Sequence, residues 1–198
     1  MKFRKICAFF LALACLQSTA AFATTVDSQE KNPNELQVEY MEFYNNQQYY
    51  KDLAKNKGLT IIIDVGEEYA DLESARIANE AAQNNQLVPV VQPRTGDIPT
   101  SEWNILQQGK KDFRGTATNT ICYTSFKYWG CTSYEVSVYN SNPYKSLSYK
   151  YYGTGDTSTY TLDSGKAVIR YIPLNPSTRF YLGFYAPAEF SGYVAPDF

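Results

Sequence analysis

Hydrophobic positions along this chain follow two different periods, and the change falls near Thr118. Upstream, Leu36, Tyr40, Phe43 and Tyr50 recur near helical spacing, and Leu53 extends the stripe. Residues three and four apart share a helix face, so this spacing predicts a helix. Asn34 can accept a hydrogen bond from an early helical N–H, and Glu35 suits the first turn. Lys51, Lys55 and Lys57 fall where the C-terminal dipole favours cations, and Gly58 is placed to stop the helix. Leu59 to Val65 is short, β-branched and continuously apolar, the pattern of a buried strand. Gly66 breaks it, and Glu67 and Glu68 open a second predicted helix through Tyr69, Leu72, Ala75, Ala78 and Ala82. Leu87 to Val91 then predicts a strand that Pro89 confines to a sheet edge.

Residues 93–118 carry Pro93, Gly96, Pro99, Gly109 and Gly115 and read as a long connection, with a short helix predicted from Thr100 to Leu106. Beyond Thr118 the period becomes two. Cys122, Thr124, Phe126 and Tyr128 alternate with Tyr123, Ser125 and Lys127, and Tyr134, Val136 and Val138 alternate with Glu135 and Ser137. Leu147, Tyr149 and Tyr151 follow, then Tyr160 and Leu162, then Val168, Arg170 and Ile172, then Phe180, Leu182 and Phe184. Clusters of Asn, Gly, Asp, Ser and Pro separate these runs, which predicts six short strands linked by turns. The expected fold is therefore α+β. An α/β part over residues 34–92 supplies helices with one or two strands, and a C-terminal antiparallel β-sandwich occupies residues 119–198.

The first residues change the expected compartment. Lys2, Arg4 and Lys5 precede an apolar run from Ile6 to Leu16, and Ala21-Phe22-Ala23 supplies a small-x-small cleavage pattern. Residues 1–23 thus read as a secretory signal, residues 24–33 as a disordered lead, and the protein as secreted or periplasmic. Cys15 after Leu13-Ala14 offers a lipid-anchored alternative at the cost of a short apolar region. The run falls short of the ~20 residues that span a bilayer, so no integral membrane segment is expected after cleavage.

Without the signal, 15 basic residues face 20 acidic ones, a net charge of −5. An acidic chain lacks the clustered basic footprint that nucleic-acid binding requires. Two of the four cysteines, Cys122 and Cys131, remain after cleavage. In an oxidising compartment they are expected to form a disulfide that staples a hairpin, worth roughly 2–3 kcal/mol for so small a loop. Two thiolates without histidine make a poor metal set, so no metal and no cofactor are expected.

The chain has no histidine, which removes Ser-His-Asp, Cys-His and His-Glu-x-x-His chemistries. The Gly153-Thr154-Gly155-Asp156 run lies between strands and precedes no helix, so it reads as a turn rather than a phosphate loop. Carboxylate chemistry stays open. Asp64 ends the buried strand with Glu67 and Glu68 just beyond, where α/β folds place ligand sites. The same two glutamates also complement a helix N-terminus without any catalytic role.

Tyrosine is the remaining signal, with 18 in the chain. Tyr149, Tyr151 and Tyr152 form one sequence cluster, and Tyr123, Tyr128 and Trp129 another. Aromatic side chains on a rigid sheet supply contact area at low entropy cost, and they also pair across strands for purely structural reasons. The leading expectation is an exported binding protein, adhesin or toxin-like, that recognises a glycan or protein surface through an aromatic β face. A glycosidase-type hydrolase using Asp64 with Glu67 or Glu68, and a periplasmic inhibitor or immunity-type protein, are the alternatives.

Overall fold

The computed structural model describes residues 32–66, 69 and 96–198. Among them the chain is mostly strand, with three helices and three sheets. The predicted signal, the lead up to Lys31, Glu67, Glu68, the second predicted helix beyond Tyr69, and the strand at Leu87 to Val91 lie outside the described residues.

The N-terminal segment is a β-α-α-β unit rather than a helix that begins at Asn34. Strand β1 (Glu35–Glu39) precedes helices α1 (Tyr40–Asn45) and α2 (Gln47–Lys57), and strand β2 (Thr60–Asp64) follows. Leu36 and Val38 stand opposite Ile61 and Ile63 in a parallel ladder. That non-local partner outweighs the local helical spacing, which becomes effective only from Tyr40. The helix stops at Gly58, as its position predicts, with φ +65° and its N–H on the Lys55 carbonyl at 3.4 Å. Lys55 and Lys57 occupy the last turn.

Residues 93–118 are not merely a connection. They hold β3 (Ser101–Asn104), α3 (Ile105–Gln108) and β4 (Lys111–Ala117). The predicted short helix is displaced because Ser101–Asn104 pairs in parallel with β6 (Phe126–Trp129). Asn104 then accepts from the Gln107 N–H at 3.2 Å and starts the helix one residue later.

All six predicted C-terminal strand regions are extended: β5 (Cys122–Tyr123) with β6, β7 (Ser133–Asn140), β8 (Leu147–Tyr152), β9 (Tyr160–Leu162), β10 (Lys166–Pro173) and β11 (Tyr181–Tyr185). A further strand, β12 (Ala188–Pro196), was not anticipated. The larger sheet has the order β1-β2-β10-β7-β12-β4, so the N-terminal unit joins the same sheet as the C-terminal strands. The second sheet has the order β5-β11-β8-β9, and β3 with β6 makes a third.

Both faces of the six-stranded sheet are covered. On one side Tyr40, Phe43 and Ala54 of the helices pack with Val38, Ile61, Ile63, Ala167 and Ile169. There Lys51 of α2 meets Glu135 of β7 at 2.6 Å, and Glu135 also accepts from Tyr193 and Tyr171. On the other side Val136, Val138, Val168, Phe190 and Val194 share a cluster with Leu147, Leu162, Leu182 and Phe184 of the four-stranded sheet. Phe184 and Phe190 stack across that cluster with centroids 3.6 Å apart at 12°.

The expected Cys122–Cys131 disulfide is absent, because the two sulfurs are not at bonding distance. The hairpin it was to staple does not exist: β5 pairs with β11, and β6 pairs with β3. Both thiols are buried, at 0% and 7% exposure. Burial pushes the Cys122 thiol up to about 11 and raises Cys131 as well, so both remain protonated and unreactive near neutrality.

Asn140, fully buried at the end of β7, ties two connections together. Its amide donates to the carbonyls of Lys145 at 2.8 Å and Leu162 at 3.0 Å, and its carbonyl accepts from the Asn142 N–H at 3.1 Å. Asn140→Ala leaves those partners unsatisfied in a dry site, so a stability loss of about 2 kcal/mol is expected in urea unfolding. A loss under about 0.5 kcal/mol would show that water replaces the amide.

Candidate functional site

Strand alternation decides which tyrosines can meet a ligand. On β8, Leu147, Tyr149 and Tyr151 point into the core while Ser148, Lys150 and Tyr152 point outward. On β11, Leu182 and Phe184 are buried and Tyr181 and Tyr185 face out; on β5, Cys122 faces in and Tyr123 out. The six tyrosine and tryptophan positions singled out in the sequence therefore separate. Tyr128, Tyr149 and Tyr151 are core residues, at 0%, 2% and 2% exposure, and cannot form an exposed face. Tyr128 packs on Phe180, and Tyr149 stacks on Phe184. Trp129 is half-buried on the third sheet, where the Arg179 guanidinium lies 4.9 Å from its ring and pairs with Glu102 at 2.6 Å. Only Tyr123 and Tyr152 remain on one accessible surface.

Two further tyrosines join them there. Tyr181 stands opposite Tyr152 in the β11–β8 ladder. Their rings stack at 5.1 Å and 6°, and Tyr123 meets both edge-on at 5.6 Å. Tyr185 extends the row, its hydroxyl 3.2 Å from that of Tyr152. The signal for Tyr181 and Tyr185 was present as their alternation with Phe180, Leu182 and Phe184, but nothing local said which face was inside.

Gly183 lies at the centre of this group, opposite both Lys150 and Tyr123. A Cβ there would come within 2.8 Å of Tyr152 Cε2 and 2.9 Å of Tyr123 Cδ1 and Ile121 Cδ1. The missing side chain lets the rings lie down over the backbone, giving a low aromatic floor instead of upright side chains. Lys150 sits at its border, Nζ 5.7 Å from the Tyr152 centroid. Burial, with the Tyr185 contact second, holds the Tyr152 hydroxyl above its usual range, and burial does the same for Tyr181. Both hydroxyls stay neutral at physiological pH and can donate as well as accept. Ring faces and neutral hydroxyls suit an uncharged polar ligand with apolar C–H faces.

The carboxylate alternative has less to stand on. Asp64 ends β2 in solvent, opposite Lys166 of β10, and Glu67 and Glu68 lie outside the described residues. Among the described residues no group of three or more Cys, Asp or Glu side chains could hold a metal ion, and no helix is long and apolar enough to cross a membrane.

Comparison with known protein families, curated proteins and solved structures finds no match to this chain.

Proposed function

We propose that this is an exported binding protein, built on a β-sandwich, that holds a glycan on the outer face of its four-stranded sheet. The observation that carries the reading is the packing of Tyr123, Tyr152 and Tyr181 around Gly183, with Tyr185 alongside. Aromatic side chains with neutral hydroxyls can stack on the C–H face of a sugar ring while bonding to its hydroxyls. A rigid ladder beneath them keeps the ordering cost of binding low. Export is supported by the leader pattern at residues 1–23. A protein surface is the other ligand expected from the sequence, and the same tyrosines would serve it.

The test is Tyr152→Ala combined with Tyr181→Ala, screened on a glycan array and by calorimetry with any glycan that binds the parent. Both side chains are only half-buried, so the double variant should keep the parent circular-dichroism spectrum. Its glycan affinity should fall tenfold or more, since loss of aromatic contacts of this kind costs about 1.5 kcal/mol or more. Unchanged affinity in the folded variant, or a parent that binds no glycan, overturns the reading.

A further inference from the structure

A second site lies away from the tyrosine floor, where the start of β2 meets the end of β10. A cavity of about 300 Å³ opens there, lined by Leu59, Thr60, Tyr151, Arg170, Ile172 and Leu174 among others. That volume is at the lower end of the range for small-molecule pockets. Leu59, Ile172, Pro173 and Leu174 give its walls an apolar stretch, beside hydroxyl groups and two charged side chains, Arg170 and Asp156.

Arg170 is held firmly. Its Nε donates to Thr60 Oγ1 at 3.2 Å, and its guanidinium carbon lies over the Tyr160 ring, 3.7 Å from the centroid. Tyr160 in turn donates to Asp156, whose other oxygen accepts the Ser158 N–H at 2.8 Å. Asp156 is thus occupied by its own turn, and no carboxylate among the described residues lies within ion-pair distance of Arg170. An arginine fixed in one orientation, half-buried and without an ion-pair partner, is prepared for a planar anion.

Tyr151 supplies an independent observation. It lines the same cavity at 2% exposure, and its hydroxyl makes no hydrogen bond of normal geometry to any described residue. A buried hydroxyl without a partner costs about 1–3 kcal/mol. Such a cost is recovered when the hydroxyl donates a hydrogen bond to an incoming acceptor.

We propose that this cavity binds a small organic carboxylate, its anionic end on Arg170 and Tyr151 and its apolar body against Leu59, Ile172 and Leu174. A bare inorganic oxyanion would use the arginine but leave those walls empty, so the lining favours an acid that carries a hydrocarbon part. The site is separate from the glycan face, and each can fail without the other.

The experiment uses 3-phenylpropionate, its neutral counterpart 3-phenylpropanamide, and inorganic phosphate, titrated into the full mature chain and followed by NMR shifts and calorimetry. Saturable binding of the acid is expected, at least tenfold tighter than either the amide or phosphate. Arg170→Gln should remove that preference. Should Arg170→Gln unfold, Leu174→Trp fills the cavity from its rim without touching the arginine and should abolish binding. The Tyr152→Ala, Tyr181→Ala variant should bind the acid like the parent. The proposal is overturned by absence of saturable binding, by equal affinity for acid and amide or for acid and phosphate, by unchanged binding in Leu174→Trp, or by loss in the tyrosine variant.

Discussion

Gly192→Ala is expected to destabilise the protein by about 3 kcal/mol or more, beyond the usual cost of an added methyl group. Gly192 sits in β12 between Val138 of β7 and Phe113 of β4. A Cβ there would stand 2.1 Å from the Ser137 carbonyl oxygen and 2.8 Å from Phe113 Cζ. A ring can turn aside; a ladder carbonyl in the middle of a six-stranded sheet cannot move without opening the β7–β12 pairing. For a domain of this size the melting temperature should fall by roughly 6–12 °C. Gly183→Ala is the control, since its Cβ would meet only side-chain atoms at 2.8–2.9 Å. A Gly192→Ala protein within about 1 kcal/mol of the parent would mean that the sheet yields more readily than its pairing implies.

Raising the pH from 9 to 12 is expected to unfold the chain in step with tyrosine ionisation. Burial pushes Tyr149 up to about 12, with Arg170 opposing, and raises Tyr128, Tyr151 and Tyr171 as well. An unfolded tyrosine ionises near 10. Above that pH the unfolded chain has released protons that the native state still holds, so stability falls as pH rises. The contribution is complete below about pH 10 and is gone once the native values are passed. At about 1.4 kcal/mol per unit, Tyr149 alone represents on the order of 3 kcal/mol. Tyrosinate absorbance at 295 nm and the far-ultraviolet circular dichroism should therefore change together. If the absorbance change were complete while the native spectrum persisted, these rings would not be sealed from water.

The strands of the C-terminal half were legible because each places its own apolar residues two apart, as Tyr134, Val136 and Val138 do on β7. β12 was hidden by Gly192 and Pro196, which read locally as interruptions. One permits close backbone approach, and the other ends the strand. β1 was hidden by an overlap of periods, since Leu36 and Tyr40 fit a helix until Ile61 and Ile63 are placed beside the strand. The disulfide does not form because Cys122 and Cys131, though near in sequence, do not sit on paired strands: β5 pairs with β11 and β6 with β3.

The candidate site was legible in kind but not in membership. Tyr149, Tyr151 and Tyr152 are adjacent in sequence, yet the pleat sends the first two into the core with Leu147 and the third to solvent. Alternation alone supplied that division. Which side faces inward is set by the packing of Phe184 against Phe190. Arg170 carries a plainer signal, a charge between Ile169 and Tyr171 within the otherwise uncharged run from Ala167 to Pro173, whose meaning depends on the cavity beside it.

The ladder between β2 and β10, where Ile61 faces Ile169, joins parts of the polypeptide more than half its length apart. A ribosome must therefore release most of the nascent chain before these edges can meet. Closure of so distant a pairing is entropically costly and slow. During that interval the amino-terminal β-α-α-β segment lacks its antiparallel neighbour and stays open to anything that captures unfolded chains.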